Sequence, residues 1–103
     1  MRLDDYCKAI PILQQEDMKI RVTQWQFPPH SHTGWHRHSY DYVVIPMTDG
    51  QLRVTGKAPK LDALRKLVTG ESYTGPAGTE HDVINDGNDP IVFVEVELKD
   101  SFV

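Results

Sequence analysis

Apolar and polar residues alternate along several segments of the chain, and a period of two is typical of β-strands. The alternation is clearest in residues 91–99, where every second position over 92–98 is valine or leucine and the other face carries Glu95 and Glu97. Residues 20–27 alternate in the same way. Each of these segments is therefore predicted to be a strand whose two faces have different surroundings.

Further strands are predicted where β-branched and aromatic residues lie between turn residues. Asp49 and Gly50 favour a hairpin between two of these strands. The leucines of residues 61–68 lie at helical spacing, which leaves a helix as an alternative there. The strand-rich context favours a strand. Roughly eight short strands with few helix signals predict an all-β jelly-roll barrel. The further predicted strands are 10–13 (an edge strand or an arm), 35–38 (a short extended piece), 40–46, 51–55, 61–68, 72–73 and 81–85.

Length and composition predict a single small domain. The chain has 103 residues, and 39% of them are hydrophobic. We expect an N-terminal arm or edge strand in residues 1–19 and one β-barrel domain in residues 20–99. No membrane partner is expected, because no window approaches the roughly 18 apolar residues of a spanning helix. No nucleic-acid partner is expected, because the net charge is −4 and no long basic stripe is present.

The cysteine content bears on the compartment. Cys7 is the only cysteine, so no disulfide can form within the chain. A reducing compartment, and with it a cytoplasmic location, is the simplest expectation.

Three histidines are the strongest candidates for chemistry. His36 and His38 are separated by one residue, so their side chains point to the same side of a strand. His81 stands at the start of another predicted strand. Three neutral imidazoles from two strands can hold a divalent transition metal at about 2.0–2.2 Å. The alternative is that the His-x-His pair is solvated on a half-exposed strand, and the spacing alone leaves both interpretations open.

A spaced pattern surrounds the third histidine. The pattern is Gly, five residues, Pro, one residue, Gly, two residues, His, three residues and Asn. A chain with this pattern resembles the cupin superfamily, and the resemblance spans roughly residues 20–98. Every fixed position of the pattern is met, by Gly70, Pro76, Gly78, His81 and Asn85.

The first cupin motif is present only in part. Its His-x-His pair and its closing Gly50 are in place. His30 stands at the position of the opening glycine, and the glutamate that would be a fourth ligand is replaced by Tyr42 or Val43, depending on the spacing. Longer runs, such as His-Asp-Val-Ile-Asn and Val-Glu-Val-Glu-Leu, are similar to a group of small bacterial cupins, some of them linked to β-alanine degradation.

The resemblance implies a cupin barrel with a metal held by His36, His38 and His81, and the metal would be Fe, Zn, Ni or Mn. Three neutral imidazoles without the glutamate leave the metal its full positive charge and up to three open positions. Such a centre suits O₂ chemistry on iron, as in the related thiol dioxygenases, or a zinc-bound water. It favours anionic ligands, and the lost carboxylate also weakens metal affinity.

Three more side chains are candidates for the site. Tyr42 shares the strand parity of His38, so we consider it as a catalytic and substrate-binding residue, with an aromatic core position as the alternative. Gln24 and Gln26 share a face with Val22. If that face is the barrel interior, both are substrate-binding candidates, and otherwise they lie at an exposed edge.

Other polar residues carry weaker expectations. His30 and His32 lie in a proline-rich loop, and their role stays open. Asn85 is expected to bind backbone groups at a strand end.

Three functions remain open at this point. The first is a metal-dependent enzyme, including an oxygenase, that acts on a small polar or anionic metabolite. The second is a non-catalytic sensor or binding module for a small molecule, and the third is an interaction barrel with an empty site. The expected partners are a small-molecule ligand and a second copy in a homodimer, formed through the N-terminal arm or the strand that bears Glu95 and Glu97.

Overall fold

The computed structural model describes residues 3–57 and 62–99, and these residues fold almost entirely into strands. A short 3-10 turn at Leu3–Asp5 precedes them. No helix in these ranges is long and apolar enough to cross a lipid bilayer. The strands are β1 (Cys7–Lys8), β2 (Ile10–Glu16), β3 (Ile20–Phe27), β4 (Ser31–His32), β5 (His36–Arg37), β6 (Asp41–Pro46), β7 (Gly50–Gly56), β8 (Asp62–Leu67), β9 (Tyr73–Gly75), β10 (Glu80–Asn85) and β11 (Ile91–Leu98).

The strands form two sheets, which confirms the predicted all-β jelly-roll class. The six-stranded sheet has the order β1-β4-β10-β7-β8, with β5 also paired to β10. The five-stranded sheet has the order β2-β3-β11-β6-β9. Neighbouring strands are antiparallel except for β1 and β4. Most neighbours are distant in sequence, so each sheet is completed only when both ends of the chain have folded.

One sequence prediction about a turn is wrong. The hairpin expected at Asp49 and Gly50 does not form, because β6 belongs to the five-stranded sheet and β7 to the six-stranded sheet. The Asp49 carboxylate instead accepts hydrogen bonds from the backbone nitrogen and the hydroxyl of Thr69, at 2.8 and 2.9 Å. This side chain ties two loops together where the chain passes between the sheets.

The ambiguous segment at residues 61–68 is a strand, as its context predicted. β8 covers Asp62–Leu67 and pairs with β7, and residue 61 lies outside the described residues. Leu67 is buried, whereas Leu64 is 69% exposed. Leu64 and Leu67, three residues apart, therefore point to opposite faces of this strand.

The hydrophobic core lies between the two sheets. Its most buried members include Phe27 in the five-stranded sheet and Leu52 in the six-stranded sheet, at 0% and 1% exposure. Burial of one such side chain contributes about 1.5–3 kcal/mol to stability. The core cluster consists of Ala9, Phe27, Tyr42, Val44, Leu52, Leu67, Val83, Ile91 and Phe93.

Asn85 has the structural role expected from its position. Its side-chain amide donates to the backbone carbonyls of Phe27 (3.1 Å), Pro28 (3.3 Å) and Asp89 (2.9 Å). Its side-chain oxygen accepts a hydrogen bond from the backbone nitrogen of Gly87 at 3.0 Å. Because Asn85 is buried, these bonds also satisfy its own polar atoms and fix two loops at the end of β10.

Candidate metal centre

The three candidate histidines converge at one point of the structure. His36 lies in β5 and is paired directly with His81 of β10, and His38 follows β5. The Nε2 atom of His38 lies 3.2 Å from Nε2 of His36 and 3.1 Å from Nε2 of His81. One ring nitrogen from each residue lies within 4.8 Å of the other two. The pairing of β5 with β10 is what joins residues that are far apart in sequence.

A backbone contact fixes the orientation of the His36 ring. Its Nδ1 lies 2.9 Å from the carbonyl oxygen of Gly34. A carbonyl oxygen only accepts hydrogen bonds, so Nδ1 carries the proton and donates it. With this proton on Nδ1, Nε2 is the nitrogen that can offer a lone pair, and it is the atom that points toward the other two histidines.

Asp82 holds the turn that supplies this carbonyl. Its carboxylate accepts hydrogen bonds from Nδ1 of His32 (2.9 Å) and from the backbone nitrogen of Gly34 (3.1 Å). The hydroxyl of Thr33 lies between Asp82 and Nδ1 of His36, at 3.5 and 3.2 Å. The structure thus places His32 against Asp82 in a network around the candidate metal centre rather than among the converging ring nitrogens.

Burial keeps two of the three imidazoles neutral. The pKa of His38 is lowered to about 4, mainly by burial and further by the neighbouring His36 and His81. The pKa of His81 is also lowered to about 4, again mainly by burial and then by His36. Both rings are therefore unprotonated bases at neutral pH and can offer a nitrogen lone pair.

Two of the three nitrogen–nitrogen distances fit a shared metal ion. Two nitrogen ligands at about 2.0–2.1 Å from one ion lie roughly 3 Å apart when their bonds meet near a right angle. The observed spacings of 3.1 and 3.2 Å agree with this value. Neutral imidazole nitrogens suit iron, zinc and nickel, and also manganese. His36, His38 and His81 therefore form a cluster that can hold a metal ion.

The structure brings Tyr42 to this cluster. Its ring stacks on the ring of His38, with centroids 3.9 Å apart and planes 21° from parallel. Burial raises the pKa of Tyr42, and the residue is only 6% exposed. A Cβ atom at Gly75 would overlap this ring, so the glycine makes room for it. Tyr42 thus belongs to the core and also lines the cavity beside the histidines.

Gln24 and Gln26 are not brought to the histidines. Trp25, between them, lines the cavity, and Phe27 lies in the core. Since neighbouring residues of a strand point to opposite faces, the two glutamines lie on the outer face of β3. There the Gln26 amide donates to the Gln24 side-chain oxygen at 3.0 Å. The substrate-binding role considered for the two glutamines required that they face the interior. In the structure the opposite face of β3 is the interior one.

A cavity of about 410 Å³ opens beside the histidines, between the two sheets. Its wall is largely apolar, and it contains two charged residues, Arg65 and Glu95, that the sequence did not mark as candidates. Glu95 of β11 faces this cavity and is only 9% exposed. The residues that line the cavity include Trp25, Tyr42, Arg65, Tyr73, Val83 and Glu95.

Burial changes the acidity of Glu95. The pKa of its carboxyl is raised to about 7, mainly by burial and then by the nearby Glu97, against a hydrogen bond from the Trp25 indole. Ile91 and Phe93 have the same strand parity and are buried in the core. These two apolar residues were the signal in the sequence that could have placed Glu95 inside. They lie on the same face of β11 as Glu95, and that face packs toward the other sheet.

His30 lies apart from the ring nitrogens that converge. Its backbone φ is 58°, in the left-handed region that favours glycine, and it occupies the glycine position of the first motif. Its ring contacts the edge of the Tyr6 ring, with centroids 5.6 Å apart. A residue at this motif position therefore adopts a left-handed backbone conformation, and here a histidine does so.

Comparisons with known proteins agree with this architecture. A family model described as a cupin domain matches residues 23–97. The chain is 45% identical over 92 residues to the β-alanine degradation protein BauB of Pseudomonas aeruginosa, covering 89% of this chain and 95% of that protein.

Solved structures give the same result. A cupin domain protein from Bordetella pertussis is 48% identical, with a TM-score of 0.87 over 91% of this chain and 96% of that chain. A double-stranded β-helix protein from Klebsiella pneumoniae has a TM-score of 0.73 at 19% identity, over 98% of this chain and 90% of that chain. The second likeness concerns the fold alone.

Proposed function

Since this chain belongs to the cupin domain family, we propose that it holds a divalent transition metal and acts there on a small polar or anionic metabolite. The metal ligands are His36, His38 and His81. The observation that carries the proposal is the convergence of three ring nitrogens within 4.8 Å, beside a cavity of about 410 Å³. A cavity of this size suits a small-molecule ligand.

The bound metal would supply a Lewis acid and, in the case of iron, a redox centre for a dioxygenase-type reaction. The residues around it have separate tasks. The Tyr42 ring covers one face of His38 and excludes water from it, and its hydroxyl is proposed to contact the substrate. The carboxyl of Glu95 takes up or releases a proton near neutral pH, so a general acid or base is present in the same cavity.

The relative from Pseudomonas aeruginosa guides the choice of substrate. Its name assigns that protein to β-alanine degradation. For this chain we extend the proposal to β-amino acids and to the aldehydes and thiols derived from them. These compounds are small and carry the polar or anionic groups that a positively charged metal centre favours.

Two further parts of the proposal concern location and assembly. The cytoplasmic location inferred from the single cysteine stays a prediction. A homodimer also stays a prediction, and it is supported by Ile10 and Ile12 of the edge strand β2, which are 46% and 42% exposed.

Metal analysis tests the ligand assignment. Protein purified without added metal or chelating resin is compared with His36→Ala and His81→Ala, and His30→Ala is the matched control outside the cluster. We expect metal in the wild type and in the control and little metal in the two cluster variants. Equal metal content in all four proteins would overturn the assignment.

Oxygen uptake separates catalysis from binding. The iron-loaded protein is given thiols, β-amino acids and the corresponding aldehydes in turn. Uptake that depends on one of these compounds and disappears in His81→Ala supports the enzyme. Absence of turnover with every compound would contradict a dioxygenase-type reaction and favour the binding module.

A further inference from the structure

The cavity has an uneven distribution of charge. Among the described residues that line it, Arg65 is the only lysine or arginine and Glu95 the only acidic residue. Burial disfavours the charged form of Glu95, as its raised pKa of about 7 indicates. Near neutral pH the positive charge of the Arg65 guanidinium is therefore only partly neutralised by Glu95, even before a metal is bound.

Strand geometry directs Arg65 toward the interior. Leu67, two residues further along β8, is 1% exposed and belongs to the core. Residues two apart share a face, so Arg65 faces the same side of β8. Lys66, between them, faces the other side. Arg65 and Lys66 are both exposed, and they differ in that the Arg65 side chain lies at the cavity wall. The pattern distinguishes two neighbouring cations, of which only Arg65 lines the cavity.

Arg65 is held in place at the edge of both sheets. β8 is the edge strand of the six-stranded sheet and β9 the edge strand of the five-stranded sheet. The guanidinium carbon of Arg65 lies 3.5 Å from the centroid of the Tyr73 ring of β9. A guanidinium stacked on an aromatic face keeps its N–H groups at its rim available for a planar anion.

Arg65 differs from the arginines that have structural partners. Arg21 lies 3.0 Å from Glu16, and Arg53 lies 2.6 Å from Asp86. No carboxylate of residues 5–57 and 62–99 lies within ion-pairing distance of Arg65. A fixed cation that faces a cavity and pairs with no acid in this part of the chain is suited to bind an anionic ligand.

We propose that Arg65 recognises the anionic group of a ligand in this cavity. The ligand is a small organic carboxylate whose carboxylate group contacts the guanidinium and whose other end points toward the three histidines. A monoanion matches the single cation, whereas a phosphate dianion would leave a charge unpaired beside Glu95. The apolar wall between the two ends fits a short carbon chain. The placement of the far end rests on the proposed metal centre, and the role of Arg65 does not.

The two tryptophans of the chain make the proposal measurable. Trp25 lines the cavity, and Trp35 is 52% exposed and is not among the residues that line it. Their indole N–H signals in an NMR spectrum of ¹⁵N-labelled protein are a reporter and an internal control. The metal-free protein is titrated with butanoate, with the neutral isostere butanamide and with inorganic phosphate.

We expect butanoate to shift the Trp25 signal and leave the Trp35 signal in place, and butanamide and phosphate to bind more weakly. Arg65→Gln should weaken butanoate binding roughly tenfold to a hundredfold, because a charge-assisted hydrogen bond is lost. Lys66→Gln removes the same charge from the other face of β8 and should leave binding within about twofold. Arg65→Lys should restore part of the affinity.

Three outcomes would overturn the role of Arg65: equal affinity for butanoate and butanamide, equal weakening in Arg65→Gln and Lys66→Gln, or no shift of Trp25 at all. Titration of the zinc-loaded protein with β-alanine tests the far end of the ligand. Tighter binding than to the metal-free protein supports that placement, and equal binding overturns it. Failure of wild-type protein to bind zinc would contradict the proposed function and leave the butanoate result unaffected.

Discussion

The two sheets contribute opposite kinds of ionisable group to the cavity, and burial drives both toward the neutral form. On the side of the six-stranded sheet, burial lowers the pKa of His38 and His81 to about 4. On the side of the five-stranded sheet, burial raises the pKa of Glu95 to about 7. One physical cause, the loss of solvation of the charged form, thus produces neutral bases beside a largely neutral acid.

The difference between the two sides lies in how far each pKa stands from neutral pH. His38 and His81 stay unprotonated throughout the neutral range, which keeps their lone pairs ready for a metal. Glu95 is near the midpoint of its titration, so its charge changes with small changes in pH. The histidines are suited to constant binding, and the glutamate to proton transfer or to a response to pH.

The largest expected effect concerns Glu95. Its pKa is raised above the ordinary 4.5 in the folded protein, so its neutral form stabilises the fold at low pH and this contribution is lost as the pH rises through about 7. Glu95→Gln removes this dependence. Between about pH 4.5 and pH 8 we expect the unfolding free energy of the variant to gain on the order of 3 kcal/mol relative to the wild type, measured by urea denaturation.

The histidines do not disturb this measurement, because they are present in both proteins and their opposite effect cancels in the difference. Glu71→Gln, which changes an exposed glutamate outside the cavity, is the control and should show no such gain. If the difference in unfolding free energy between Glu95→Gln and the wild type did not change with pH, the raised pKa of Glu95 would be contradicted.

A smaller effect is expected on the histidine side. Asp82→Asn weakens the bonds that hold the turn at Gly34, whose carbonyl orients His36. Loss of such an outer contact should lower zinc affinity roughly tenfold to a hundredfold, as measured by calorimetry at constant pH. Asp86→Asn, which breaks the pair with Arg53, is a matched control that should keep its affinity. Unchanged affinity in Asp82→Asn would show that His36 needs no such support.

The smallest effect is expected on the outer face of β3. Gln24→Ala and Gln26→Ala remove a hydrogen bond between two side chains that do not line the cavity, so stability should change by less than about 1 kcal/mol. Zinc affinity and the response of the Trp25 signal to butanoate should stay as in the wild type. A loss of either property would place the glutamines in the site after all.

Sequence reasoning located the histidine side well and the acid side poorly. The spacing of His36 and His38, together with the pattern around His81, was enough to expect convergence, because each pattern implies a strand position. No comparable pattern marks Arg65 and Glu95. Glu95 lies in a strand whose alternation was predicted, but alternation alone does not tell which face is covered. Arg65 lies in a segment whose leucines have helical spacing, so no alternation marked its face.

The same limit applies to predictions on other strands. Gln24 and Gln26 were considered for the interior because they share a face with Val22, yet Trp25 and Phe27 occupy the inner face of β3. At Asp49 and Gly50 the residue types favour a hairpin, but the strands on the two sides pair with other partners. In both cases a local pattern was correct and its long-range partner was unknown.

The sequence by itself determined where most of the strands run, that several of them have two unlike faces, and that three histidines stand in positions suited to one metal. The tertiary structure alone decided which face points inward, and so brought Glu95 and Arg65 into the cavity and left Gln24 and Gln26 outside. The reason is that side-chain alternation is a local property of the backbone, whereas burial depends on the sheet that packs against a strand.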